Sequence, residues 1–156
     1  MTALSAGDPA PDFELPTDEG GSISLAKLRG KKVVIFFYPK ADTPGCTIEA
    51  KDFSAMKSAF EAADVRLVGV SADPVKAQAK FKAKHDLAVP LASDLTKDML
   101  NAYGVWGEKS MYGRKYMGIE RRTFLVARDG TIARVWPKVT IEGHAEEVLA
   151  AARDLK

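Results

Sequence analysis

The chain has one cysteine, Cys46, in the stretch Tyr38-Pro39-Lys40-Ala41-Asp42-Thr43-Pro44-Gly45-Cys46-Thr47-Ile48-Glu49. Thr43 is suited to a helix N-cap and Pro44 to the first helical position. Cys46 then falls at the third helical position. Its sulfur lies there beside backbone N–H groups that have no intrahelical acceptor, at the positive end of the helix dipole. Both features favour the thiolate, the nucleophilic form of the side chain. Thr43 offers a hydroxyl one turn away that can donate or accept. Pro39 would close one wall and shield the sulfur from bulk water. A small electrophile is the natural target of such a group. A buried cysteine can also be an inert small hydrophobe, and position alone leaves both readings open.

The elements that must place this segment are legible around it. Val33-Val34-Ile35-Phe36-Phe37, within Lys32 to Tyr38, is a continuous β-branched and aromatic run. That composition predicts a central strand buried on both faces. Pro39 stops it, and a helix is expected from about Pro44 to Ala63, with Phe53, Met56 and Phe60 at helical spacing. Active groups in α/β sheets gather where such strands end. Upstream, Asp12 to Leu15 and Ser22 to Ser24 flank the turn Glu19-Gly20-Gly21 and read as a small hairpin. Ser24 can cap a short helix through Arg29, closed by Gly30.

Downstream, Val65 to Ser71 predicts a second buried strand. Asp73-Pro74 predicts a cap and first turn for a helix to about His85. Val89 to Leu91 is a short strand, Thr96 to Tyr103 a short helix, and residues 104–118 are irregular or hairpin-like. Thr123 to Val126 and Thr131 to Trp136 form a hairpin around Asp129-Gly130. Glu142 to Leu155 is a closing amphipathic helix. A parallel pair followed by an antiparallel pair implies an α/β fold, with a mixed central sheet and helices on both faces.

The 156 residues suit one domain over 1–156. Lys plus Arg is 23 against 21 for Asp plus Glu, a formal +2. So small an excess argues for neither nucleic acid nor acidic membranes as partners. No apolar run approaches the roughly 18 residues of a membrane span, and the first residues lack the basic and apolar regions of a signal peptide. One cysteine allows no intramolecular disulfide and no multi-cysteine zinc site. These features together lead us to expect a reducing, cytoplasmic setting. His85 and His144 lack partners at ligand spacing and read as surface residues at helix ends. Tyr103, Trp106, Met111, Tyr112, Tyr116 and Met117 read as packing, some of them forming an apolar rim. Lys109, Arg114 and Lys115 read as a solvated basic patch.

The spacing Pro39-x-x-x-Thr43-x-x-Cys46 resembles the active-site signature of the peroxiredoxins. The longer string Thr43-Pro44-Gly45-Cys46-Thr47-x-Glu49-Ala50 is similar to the PrxQ branch, also called bacterioferritin comigratory protein. Gly7-Asp8 with Ala10-Pro11-x-Phe13, residues 104–109, and Gly118-Ile119-x-Arg121-x-Thr123-Phe124-Leu125 extend the likeness along most of the chain. The resemblance implies a thioredoxin-like fold. It also implies a monomer that reduces hydrogen peroxide and organic hydroperoxides without metal, haem or flavin.

The resemblance makes Cys46 the nucleophile and Thr43 the hydroxyl that orients the peroxide. Pro39 then forms a wall, and the N–H groups of Cys46 and Gly45 hold a peroxide oxygen. Arg121 aligns with an active-site arginine from a strand distant in sequence. Its cation would favour the thiolate and the developing oxyanion. Arg122 should point away, because side chains alternate along a strand. Glu49, one turn after Cys46, would either orient Arg121 or stand in solvent.

The chain departs from the family in one respect. Two positions where such proteins carry a second, resolving cysteine fall at Lys51, five residues after Cys46, and near Lys82 in the following helix; both are lysine here. Oxidation of Cys46 would give a sulfenic acid with no internal thiol to condense with it. Turnover then needs an outside thiol, either thioredoxin or glutathione with glutaredoxin. The competing reading is a thiol-disulfide oxidoreductase or redox-relay module. The missing first thiol of a Cys-x-x-Cys motif weighs against it.

Overall fold

The computed structural model describes residues 4–156, apart from the side chain of Met111, which lies outside the described residues. The run Lys32–Phe37 forms strand β3 and is buried throughout. Alternation along it divides the core. Val34 and Phe36 enter one apolar cluster, and Val33, Ile35 and Phe37 enter another on the opposite face. A strand with apolar groups on both faces must sit inside a covered sheet.

Strands β1 (Glu14–Pro16) and β2 (Ser22–Ser24) make the N-terminal hairpin. The short helix after them is a 3-10 turn, Ala26–Leu28, in which Lys27 N–H donates to Ser24 Oγ at 3.2 Å. Strands β4 (Val65–Ser71) and β5 (Leu91–Ser93) lie parallel to β3 on one side. Strands β8 (Arg122–Val126) and β9 (Ile132–Trp136) follow antiparallel on the other. The order of the five-stranded mixed sheet is β5-β4-β3-β8-β9. Residues 104–118, left irregular or hairpin-like by the sequence, contain most of a two-stranded ribbon of β6 (Trp106–Met111) and β7 (Arg114–Ile119).

Helices α1 (Pro44–Ala55), α2 (Lys57–Ala62), α3 (Val75–His85) and α5 (His144–Asp154) cover the Phe36 face. Phe53, Phe60, Phe81 and Val148 carry their contacts. Helix α4 (Asp98–Ala102) and the N-terminal segment cover the other face through Leu100 and Phe13. The expected helix from Pro44 to Ala63 is two helices. Met56 breaks it at φ −102°, ψ 7°, and Phe53 and Phe60 both stay in the core across the joint. Asp73 does not cap α3. Pro74 holds the N-cap position and no side chain caps the helix.

Other surface expectations change as well. Tyr103 is fully buried and donates to Pro11 O at 2.6 Å, whereas Tyr112 is 98% exposed at the ribbon turn and packs nothing. Lys109 is not simply solvated, because its ammonium donates to Ile119 O at 2.7 Å. His144 is buried, with Nε2 2.8 Å from Thr123 Oγ1 and its ring edge-on to Phe53 and Trp136. His85 ends α3 as expected, but its ring is largely covered and stands edge-on to Phe81. No helix is long and apolar enough to cross a membrane among the described residues.

Candidate active site

Strand β3 delivers the chain to residues 39–43, a loop held from several sides. Ala41 N–H donates to Asp73 Oδ2 at 2.8 Å, and Ser71 Oγ donates to the same oxygen at 2.6 Å. Asp42 sits in the left-handed region at φ 61°. Its carboxylate meets Lys84 Nζ at 2.8 Å and His85 Nε2 at 2.7 Å, both from the end of α3. Asp73, Lys84 and His85 are loop anchors that sequence reasoning missed. Their signal was only the short polar side chain before Pro74 and the basic end of α3.

Thr43 is the N-cap residue of α1 with an extended backbone, and Pro44 follows at the first helical position. The Thr43 side chain does not cap the helix. Its hydroxyl donates to Lys40 O at 2.7 Å, while Thr43 O accepts from both the amide and the hydroxyl of Thr47. The amides of Gly45 and Cys46 therefore donate to no protein acceptor among the described residues. Cys46, third in α1, is buried to 1% exposure within the Phe36-side core.

Arg121 lies in the connection just before β8, not within a strand as expected. Its Nη2 donates to Cys46 Sγ at 3.2 Å and its Nη1 donates to Glu49 Oε1 at 2.7 Å. The guanidinium therefore joins two residues one turn apart on α1. Arg122 makes no hydrogen bond to Cys46, and its buried Nε has no partner.

Glu49 is 1% exposed, so its solvated alternative does not hold. Burial pushes its carboxyl up to about 7, against the opposing pull of the Arg121 cation. Its second oxygen, Oε2, has no hydrogen-bond partner. Burial opposes the charge on Arg121 too, but Glu49 and Cys46 together hold the guanidinium above its ordinary value.

Gly45 has a steric role that the sequence did not announce. A Cβ built there would stand 3.3 Å from Arg121 Nη2 and 3.3 Å from Ile141 Cδ1. A side chain there would press on the guanidinium, which would have to give by a few tenths of an ångström. Pro39 is half-buried and borders a cavity of about 400 Å³ with Trp106, Tyr116, Met117 and Ile119. The described residues contain no cluster of three His, Cys, Asp or Glu side chains placed to hold a metal.

The arrangement is a lone thiol at a helix N-terminus, with a cation in contact and unpaired amides beside it. Such a site can attack a small electrophile and hold the negative charge that leaves. The sequence profile described as the AhpC/TSA family matches residues 6–135. A putative peroxiredoxin, bcp, of Coxiella burnetii is 48% identical over 147 residues, covering 94% of this chain and 97% of its own. The structure of Xanthomonas campestris peroxiredoxin Q superposes with a TM-score of 0.90 at 41% identity, covering 97% of this chain and 98% of that one. A trapped intermediate/ligand complex of the bacterioferritin comigratory protein from the same organism, studied for alkyl peroxide reduction, gives 0.89 at 40% identity, covering 96% and 98%. A lone thiol set against an arginine from across the sheet, in a chain matched nearly end to end, thus places this protein in the AhpC/TSA family as a thiol peroxidase, a peroxiredoxin of the Bcp or Q type.

Proposed function

We propose that the chain reduces hydrogen peroxide and organic hydroperoxides with Cys46 as the attacking group. The observation that carries this is the Arg121 guanidinium 3.2 Å from Cys46 Sγ. In the step, sulfur attacks one peroxide oxygen in line. The S–O bond forms as the O–O bond breaks. The other oxygen leaves as hydroxide or alkoxide and takes a proton to become water or alcohol. Cys46 becomes a sulfenic acid. Donors aimed at the departing oxygen lower the barrier. Arg121 and the free amides of Gly45 and Cys46 supply them.

The proton of the Thr43 hydroxyl is committed to Lys40 O, so its lone pairs remain to accept from the peroxide O–H. Glu49 acts as a positioning residue by fixing Arg121. Pro39 forms one wall. The cavity beside it, where Trp106, Tyr116, Met117 and Ile119 stand opposite Lys40, Asp73 and Lys109, would take the carbon chain of an organic hydroperoxide on its apolar side. The alkyl peroxide activity studied in the X. campestris relative supports that substrate class for this chain too.

The monomer is taken as the working unit, as the resemblance to the Q-type branch implies. With no second cysteine, the sulfenic acid is reduced by an outside thiol, thioredoxin or glutathione with glutaredoxin. That demand suits a reducing compartment such as the cytoplasm. Cys46 is so deeply buried that a bulky thiol reaches it only when the first turn of α1 opens. That turn has no side-chain cap.

Peroxide consumption in dithiothreitol tests the proposal. The wild-type chain turns over and Cys46→Ser does not. A chain that reduces insulin disulfides but consumes no peroxide would instead be an exchange protein.

A further inference from the structure

We infer that Gln78, buried in α3, is a positioning residue for the peroxide step: through Ser71 and Asp73 it fixes the peptide group whose carbonyl holds the Thr43 hydroxyl. The inference rests on the peroxidase reading above, in which that hydroxyl receives the peroxide.

Helix α3 buries two side chains, Phe81 and Gln78. Gln78 is fully buried, at a place where an apolar side chain would need no partners. Its carboxamide lies across the ends of the three parallel strands β3, β4 and β5. Nε2 donates to Ala92 O of β5 at 3.0 Å and to Ser71 Oγ of β4 at 2.9 Å. Oε1 accepts from the hydroxyl of Tyr38, just past β3, at 2.5 Å. A backbone carbonyl can only accept, so Ala92 decides which end of the carboxamide is the nitrogen.

Every later donor follows from that choice. Both Nε2 hydrogens are used on Ala92 and Ser71, so Tyr38 must donate to Oε1. Burial pushes the Tyr38 phenol above its ordinary value, and it keeps that proton. Ser71 Oγ accepts from Gln78, so its own proton turns to Asp73 Oδ2 at 2.6 Å. The same carboxylate oxygen accepts the Ala41 N–H at 2.8 Å.

The Ala41 N–H and the Lys40 C=O belong to one peptide group, which is planar and rigid. Lys40 O accepts the Thr43 hydroxyl at 2.7 Å. Holding one side of that plane therefore aims the other, and with it the lone pairs of Thr43. Tyr38 and Ser71 are buried as well, so the inner bonds of the relay are shielded from water. The relay runs without a gap from α3 to a residue three positions before Cys46.

The test follows oxidation of Cys46 by hydrogen peroxide in single-turnover stopped flow on the full chain. The carboxylate of Gln78→Glu has no proton to give and competes with Asp73 for that of Ser71. Gln78→Met removes the same donors without burying a charge. We expect rate constants lower by about ten-fold and about three-fold, respectively. Asp73→Asn keeps an oxygen for both donors and should retain most of the rate that Asp73→Ala loses. The decisive readout is coupling. In a Thr43→Val background no hydroxyl is left to aim, and Gln78→Met should change the rate by less than about two-fold. In Thr43→Ser, which keeps a hydroxyl, its effect should return. Independently of activity, the Ala41 amide proton should exchange faster with solvent in Gln78→Met. Equal slowing by Gln78→Met with and without the Thr43 hydroxyl, no slowing in either, or unchanged Ala41 exchange would overturn the relay. A wild-type chain whose Cys46 is not oxidised by peroxide would instead overturn the peroxidase reading itself.

Discussion

Arg121 Nη2 and Cys46 Sγ lie 3.2 Å apart although 75 positions separate them in the chain. The contact exists because β8 pairs antiparallel with β3, with Arg122 opposite Phe37. That register sets the residue before β8 beside the end of β3, where α1 begins. A cation 3.2 Å from the sulfur in a nearly dry setting acts with little screening.

Removal of that cation should be costly. Arg121→Ala is expected to slow oxidation of Cys46 by peroxide about 10²–10³-fold in single-turnover stopped flow, with the far-UV spectrum unchanged. Arg122→Ala should slow it far less. Equal losses from the two would mean that the assigned register is wrong.

Gly45 offers a gentler test. An alanine there brings a methyl to 3.3 Å from both Arg121 Nη2 and Ile141 Cδ1. Alanine itself suits a helix better than glycine. Gly45→Ala should therefore keep thermal stability near wild type while lowering the peroxide rate roughly ten-fold, because a small misplacement of a catalytic group is expensive. An unaffected rate would show that the guanidinium shifts aside without consequence.

Glu49 should leave a mark on the pH profile. Its carboxyl, pushed up to about 7 by burial, is ionised above that pH and protonated below it. Only the ionised form grips Arg121 as an ion pair. The rate of Cys46 oxidation should therefore fall as pH drops through about 7. Glu49→Gln should lower the upper plateau and flatten this limb. A limb that persists unchanged in Glu49→Gln belongs to another group.

His144 makes the fold itself sensitive to acid. Burial lowers its pKa in the folded chain below the ordinary 6.5. The unfolded chain then binds the proton more readily. The stability contributed by neutral His144 is complete above about pH 6.5 and is lost as pH falls through the lower folded value. The melting temperature should drop over that interval, and His144→Asn should reduce the slope. A flat profile would show that the ring is protonated in place.

Excess oxidant has a defined fate in a chain with one thiol. In the absence of an external thiol, a peroxide titration followed by intact mass measurement should show sulfinic and then sulfonic acid on Cys46. A reversible disulfide within one monomer is impossible, and its mass signature would contradict the cysteine count.

Local signals carried much of this. Cys46 at the start of a helix follows from Thr43-Pro44 placed after a strand too apolar to be exposed. Strand β3 itself needed only its composition, and the alternation of its side chains between two cores followed from strand geometry. Asp129-Gly130 marked the last hairpin in the same way. The break at Met56 was not legible, because Phe53 and Phe60 keep their core positions on either side of it. The ribbon at 106–119 was left ambiguous because its exposed polar and aromatic residues bury too little to leave a periodic trace.

The site divides in the same manner. By itself the sequence determined that a single cysteine sits at a helix N-terminus, with a proline at the first helical position and no second thiol beside it. These are facts about neighbours in the chain and about a count. The family resemblance, not a local pattern, singled out Arg121; how close it comes to the sulfur, how little room Gly45 leaves beside the guanidinium, and whether Glu49 and His144 face water or the core were decided only in three dimensions. Each depends on how α1 and α5 pack over the sheet and on the register between β3 and β8. Long-range packing sets the dielectric and the partners of a charge, and no local pattern encodes them.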